Sequence, residues 1–127
     1  MTVSHQLARW TTDQNASGIP DQVLTVAKGY FLDGIVVAIA ARRGYCGNAG
    51  VRVARSLGGL PGAKILGPRD TVGIAAAAFA NGRLRHALDY DDTHAGGLIH
   101  ASAVKLPVAL AVGQECGSTG SKFSRRQ

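Results

Sequence analysis

From Gln22 to Ala41 the chain carries only two charges, Lys28 and Asp33, and this run is framed by Pro20-Asp21 before it and Arg42-Arg43-Gly44 after it. Proline favours the first helical position, an acid suits the positive end of the helix dipole, and arginines followed by glycine suit the other end. The framing predicts a helix from Pro20 to about Arg42. Inside it Val23, Ala27, Tyr30, Gly34 and Ala38 recur at three- and four-residue steps, with Leu24, Phe31, Ile35 and Ile39 alongside. That stripe is wider than a surface helix requires, so it predicts a core helix with most of its circumference covered. Any fold for this chain has to supply the cover.

The other segments read as shorter helices. Val3, Leu7 and Trp10 give a short amphipathic helix over residues 3–10, before a polar break from Thr11 to Gly18. Val51, Ala54 and Leu57 predict a helix over residues 48–57, stopped by Gly58-Gly59 and Pro61-Gly62, and Lys64 to Leu66 fit a short extended piece. Asp70 or Thr71 is the expected cap of a third helix through Ala75 to Phe79, with Asn81-Gly82 interrupting it or joining two helices. A loop from Asp89 to His100 follows. Ser102 is then expected to cap a last helix through Val112, with Pro107 tolerated if it lies near the first turn. No repeat and no coherent period-two alternation appears, and the fold class expected is all-α.

Composition narrows what such a fold can do. The chain has 127 residues, enough for one domain, and a complete domain of this size buries roughly two-thirds of its unfolded surface. Apolar residues make up 46% but aromatics only 6%, so helices must approach closely on small side chains rather than around large rings. The net charge of +6 invites anions, yet the basic residues are scattered from Arg9 to Arg126, and the only tight pairs are Arg42-Arg43 and Arg125-Arg126. No aromatic ladder runs between them to stack bases, which argues against nucleic acid. Cys46 and Cys116 lack the CxxC spacing of redox or zinc sites and are expected to be buried or semi-exposed thiols in a reducing cytosol. With no run of 18 apolar residues and a polar start at Ser4, His5, Gln6 and Arg9, a soluble cytoplasmic protein without membrane association is expected.

The chemistry is concentrated. Residues 81–94, Asn-Gly-Arg-Leu-Arg-His-Ala-Leu-Asp-Tyr-Asp-Asp-Thr-His, together with His100-Ala101-Ser102, hold three of the eight acidic residues and three of the four histidines. Carboxylates beside imidazoles are what proton transfer at carbon requires, and crowding like charges does not stabilise a fold by itself. The cluster reads as a site.

This stretch resembles the signature of the MmgE/PrpD family, the group of 2-methylcitrate dehydratase and cis-aconitate decarboxylase. Ile19-Pro20 opening a helix, Phe31-Leu32-Asp33-Gly34 within it, Gly58-Gly59, Lys64-Ile65-Leu66-Gly67, and Ala75 to Ala80 before Asn81-Gly82 are similar to that family's N-terminal region in the same order. The resemblance covers roughly residues 6 to 120. It departs from the family at Ala101, where proline is usual, and at Lys105, which brings a charge into a normally apolar run. Family members are several times longer, with a large helical domain and a smaller mixed domain closing over a cleft. The resemblance therefore implies that residues 1–120 are part of the large helical domain and that 121–127 form a disordered tail at a truncation point.

By the same resemblance the activity implied is a lyase acting on a small polycarboxylate, 2-methylcitrate dehydratase-like or cis-aconitate decarboxylase-like, and inactive as this fragment alone. It implies His100 as the proton-transfer group, Asp89 as the residue that orients or polarises it, and Thr93, Asp92 and His94 as substrate-binding positions. It implies no metal and no cofactor, a homodimer in the full-length family, and self-association of the fragment.

Other readings remain open on the residues. A small helical module that binds a partner without catalysis would leave an uncovered apolar face. Asp89-Tyr90-Asp91-Asp92-Thr93 also fits the DxDxT pattern of haloacid-dehalogenase-type phosphatases, but the residues before it read as helix, where that motif needs a strand. His86 and Asp89, with His94 or His100, would supply three metal ligands. The plainest reading makes Asp91 and Asp92 helix caps in a solvated loop and His86 a packing residue.

Overall fold

The computed structural model describes residues 1–13, 18–44, 47–67 and 70–120. They form α1 (Val3–Asp13), α2 (Asp21–Arg43), α3 (Asn48–Leu57), β1 (Ala63–Lys64), β2 (Thr71–Val72), α4 (Ile74–His86) and α5 (Ala101–Glu115). Helices dominate as expected. The extended piece at Lys64 is half of a two-stranded antiparallel sheet, with Ala63 opposite Val72 and Lys64 opposite Thr71. Cys46 and the segment 121–127, with its Arg125-Arg126 pair, lie outside the described residues, and Cys116, near the C-terminal end of α5, is an exposed free thiol rather than a buried or semi-exposed one.

α4 is the centre of the molecule and packs on α5, α3 and α2. Its inner face is Ala76, Ala77, Ala80 and Leu84, which meet Ala38 and Ala41 of α2, Val51 and Ala54 of α3, and Ala111 of α5 in one core. Small side chains let the helices approach closely. Two glycines show how closely: a Cβ on Gly34 would lie 2.9 Å from Leu106 Cδ1, and one on Gly47 would lie 2.6 Å from Leu84 Cδ2.

Asn81 does not break α4. It is buried in mid-helix and acts as a bracket, its Oδ1 accepting from Leu66 N at 2.8 Å and its Nδ2 donating to Lys64 O at 3.0 Å. Gln114 of α5 holds the same strand by accepting from Lys64 N at 2.6 Å. Thr71 is in β2, and Asp70 takes the Arg55 guanidinium at 2.6 Å, so neither caps α4. Gly73 takes the cap position instead. Pairing of the strand claimed the residues that local propensity would have made a cap.

Pro107 stands well inside α5, not in its first turn. Its missing N–H leaves the Ala103 carbonyl without a helical partner. That carbonyl faces α4 at Gly82, where a Cβ would come within 3.3 Å of it, so the second residue of the Asn81-Gly82 pair serves close packing. α1 extends past the expected break to Asp13, with Thr11 and Thr12 hydroxyls donating back to Leu7 O and Arg9 O.

α2 forms where the framing predicted, but its cover is not there. Only Gly34, Ala38 and Ala41 are buried along it, because α4 and α5 pack on one strip of its surface. Leu32 and Val36 on the opposite side remain 64% and 57% exposed. By length and mean hydropathy (1.7) α2 is apolar enough to cross a membrane. Lys28 and Asp33 lie in mid-helix, and Gly34 and Asp33 meet Arg85 of α4.

Candidate active site

α4 ends by sending two neighbouring side chains in opposite directions. Buried positions recur as Ala77, Asn81 and Arg85 at four-residue steps, so Arg85 continues the inner face and His86 points outward. Arg85 is the largest fully buried side chain, at 1% exposure. Its Nη2 donates to Asp33 Oδ2 of α2 at 2.9 Å and lies 3.7 Å from Asp92 Oδ1. Nε and Nη1 have no hydrogen-bond partner.

Beyond His86 the backbone turns through Asp89, whose N–H reaches His86 O at 3.2 Å and whose φ of 55° is left-handed, a conformation Asp tolerates better than most residues. The loop then folds on itself. His94 N donates to Ile99 O at 2.9 Å, closing an antiparallel bridge, and Gly97 N donates to both His94 O (3.1 Å) and His94 Nδ1 (2.9 Å). His94 thus uses one ring nitrogen to hold its own turn.

This fold of the loop brings His100 back beside His86, with ring centroids 5.2 Å apart and planes tilted by 50°. Thr93 Oγ1 is 3.3 Å from His100 Nδ1, and Asp91 Oδ2 is 2.9 Å from His86 Nδ1. The Asp89 carboxylate stands with His86 and Asp91, their ligand-capable atoms all within 4.8 Å of one another. His100 occupies the cap position of α5. The first-turn N–H of Ser102 donates to Asp92 Oδ1 at 3.3 Å, so Asp92 rather than Ser102 provides the capping oxygen. An open pocket of about 470 Å³ adjoins the imidazoles, lined by His86, Ile99, His100, Ala101, Val104 and Lys105. A second of about 450 Å³ lies on the other side of Asp91 and Asp92, against Tyr30 and Asp33 of α2.

Of the positions expected from sequence, Thr93 and His100 are in direct contact, Asp89 joins the His86 side of the cluster, and Asp92 ties the loop to Arg85 and α5. His94 is engaged in its own turn. His86 is not a packing residue: 43% of its side chain is exposed and it faces His100. Arg85 and Asp33 were not recognised as neighbours of the site. The four-residue recurrence of Ala77, Asn81 and Arg85 was the signal that would have placed Arg85 inward.

His86 at the end of α4 and His100 at the cap position of α5 stand against each other, with the Thr93 hydroxyl on His100, the Asp91 carboxylate on His86 and Asp89 beside His86, groups whose chemistry suits proton transfer. The chain belongs to the MmgE/PrpD family, whose N-terminal domain it matches over residues 5–125. It is 26% identical over 122 residues to a cis-aconitate decarboxylase of Aspergillus terreus and 30% identical over 122 residues to the cis-aconitate decarboxylase-like protein oryM of Aspergillus oryzae. Each alignment takes in 96% of this chain and 25% of the relative, so the chain spans about a quarter of the length of these relatives. No solved structure matches it significantly.

Proposed function

We propose that this chain is the N-terminal part of a cytoplasmic lyase that removes water or carbon dioxide from a small polycarboxylate, and that it is inactive by itself. Family membership and the two cis-aconitate decarboxylase-like relatives support the lyase class, and they favour a cis-aconitate decarboxylase-like reaction over a 2-methylcitrate dehydratase-like one. The observation that carries the reading is His100 beside the 470 Å³ pocket, with Thr93 on its Nδ1 and His86 against its ring. In this reading His100 moves the proton, and Asp89 acts on it through the adjoining His86 ring. Thr93, Asp92 and His94 meet the substrate. Exclusion of water and most carboxylate partners come from the remainder of a full-length enzyme, which assembles as a homodimer.

Residues 1–120 grafted onto the remainder of a related enzyme test this. His100→Asn is expected to lower turnover by about two to four orders of magnitude with substrate affinity within about tenfold, since acid–base groups act mainly in the transition state. Near-parental turnover in that variant would remove His100 from the mechanism.

A second reading, a non-catalytic helical module that binds a partner, is favoured by the exposed face of α2 at Leu32 and Val36. The same face leads us to expect self-association of the isolated chain. A monomer that melts in one sharp cooperative transition supports the module, and an associating, loosely packed chain supports the lyase fragment.

A further inference from the structure

We propose that α1 docks on the N-terminal half of α2 of a second copy of this chain, two copies exchanging α1 reciprocally. The contact goes beyond the lyase reading and does not depend on it. α1 has an apolar face and nothing to place it on: none of its residues is buried, and Val3, Leu7 and Trp10 share one side at steps of four and three residues.

α2 offers an open surface of the same kind. Val23, Val26 and Tyr30 lie on the same side of it as Gly34, Ala38 and Ala41, following the three- and four-residue steps of one stripe, yet burial along that stripe stops at Gly34. All six side chains, three on α1 and three on α2, are at least 50% exposed.

The spacings select the occupant and its direction. Apolar steps along α1 are four then three, and along α2 from Val23 they are three then four. Laid antiparallel, Trp10 meets Val23, Leu7 meets Val26 and Val3 meets Tyr30, all in register over about 10 Å of helix. Each ring then falls opposite a valine, the alternation of large and small that close packing favours. Laid parallel, Leu7 would face the partly buried Ala27 and Trp10 would crowd Tyr30.

Within one chain α1 leaves all six side chains open, so the occupant is a second copy, and exchange forms the contact twice. Two contacts remove on the order of 1,200 Å² from water, the lower edge of what a specific dimer buries. Leu32 and Val36 lie on the opposite side of α2, and association through them adds to this pair rather than forming it.

Disulfide trapping tests the register. Two versions of the full chain carry Cys46→Ser and Cys116→Ser, one with Leu7→Cys and the other, lengthened by a tag so that products separate, with Val26→Cys. Mixed and mildly oxidised, they should give the linked heterodimer as the main product. Val36→Cys in place of Val26→Cys should lower its yield about tenfold or more. Trp10→Glu added to the Leu7→Cys chain should do the same, and since α1 buries nothing in the single chain, that loss does not arise through the fold. Equal yields from Val26→Cys and Val36→Cys overturn the proposal, as does an unchanged yield with Trp10→Glu. So does a single chain carrying both Leu7→Cys and Val26→Cys that closes mainly on itself, which would mean that α1 covers its own α2. None of these results bears on the lyase reading, which the grafted enzyme tests.

Discussion

α4 and α2 are both helices rich in alanine and aliphatic residues, and they end up in opposite circumstances. α4 is surrounded by α2, α3 and α5 and buries Ala76, Ala77, Ala80, Asn81, Leu84 and Arg85. The longer α2 buries only Gly34, Ala38 and Ala41. Apolar character alone did not decide which helix would be covered. Neighbours did: α4 is flanked by short helices brought back by tight turns at Gly58-Gly59 and by the loop after His86, whereas α2 meets them along a single strip. Burial of a helix is therefore a property of its partners, and the uncovered side of α2 is where this chain departs most from a self-sufficient domain.

Truncating the covered helix should hurt most. Leu84→Ala opens a cavity at a fully buried position against Gly47 and is expected to cost about 2–5 kcal/mol, seen as loss of the helical signal at lower urea. A cost like that of a surface substitution would mean that the core around α4 is loosely packed. Asn81→Ala comes next. It leaves Leu66 N and Lys64 O without their partner, and a loss of about 1–3 kcal/mol is expected, with faster amide exchange at Leu66. Unchanged exchange there would show that the bracket does not hold the sheet.

The smallest effect on stability belongs to the uncovered face. Leu32→Glu with Val36→Glu should change stability by no more than about 0.5 kcal/mol each, yet shift the chain toward monomer in light scattering. Large destabilisation by that pair would mean that α2 is covered on both sides after all, and the contrast with α4 would collapse.

The site divides in a similar way. Its members could be found from sequence because chemistry-bearing residues crowd between Asn81 and His100. Their pairing could not. The left-handed turn at Asp89 sets its carboxylate beside His86, whose ring faces His100, and the bridge between His94 and Ile99 accompanies the return of the loop that brings Thr93 to His100. The sequence alone leaves His86 readable as a packing residue. It faces outward because Arg85, one residue earlier, occupies the inner face.

Local rules were enough for the long helix. Pro20, Asp21 and Arg42-Arg43 determine its ends, because each satisfies or opposes backbone groups within one turn. The helix over residues 48–57 and the loop from Asp89 to His100 follow from glycines and periodicity in the same local way. Whatever depends on contact between distant segments was decided by the tertiary structure. Asn81 in mid-helix is a break by propensity and a bracket once Lys64 and Leu66 lie beside it. Thr71 is a cap by propensity and a strand residue once Lys64 pairs with it. Hydrogen-bonding groups act on whatever lies within about 3 Å, and for Asn81, Thr71 and Arg85 that neighbour comes from elsewhere in the chain.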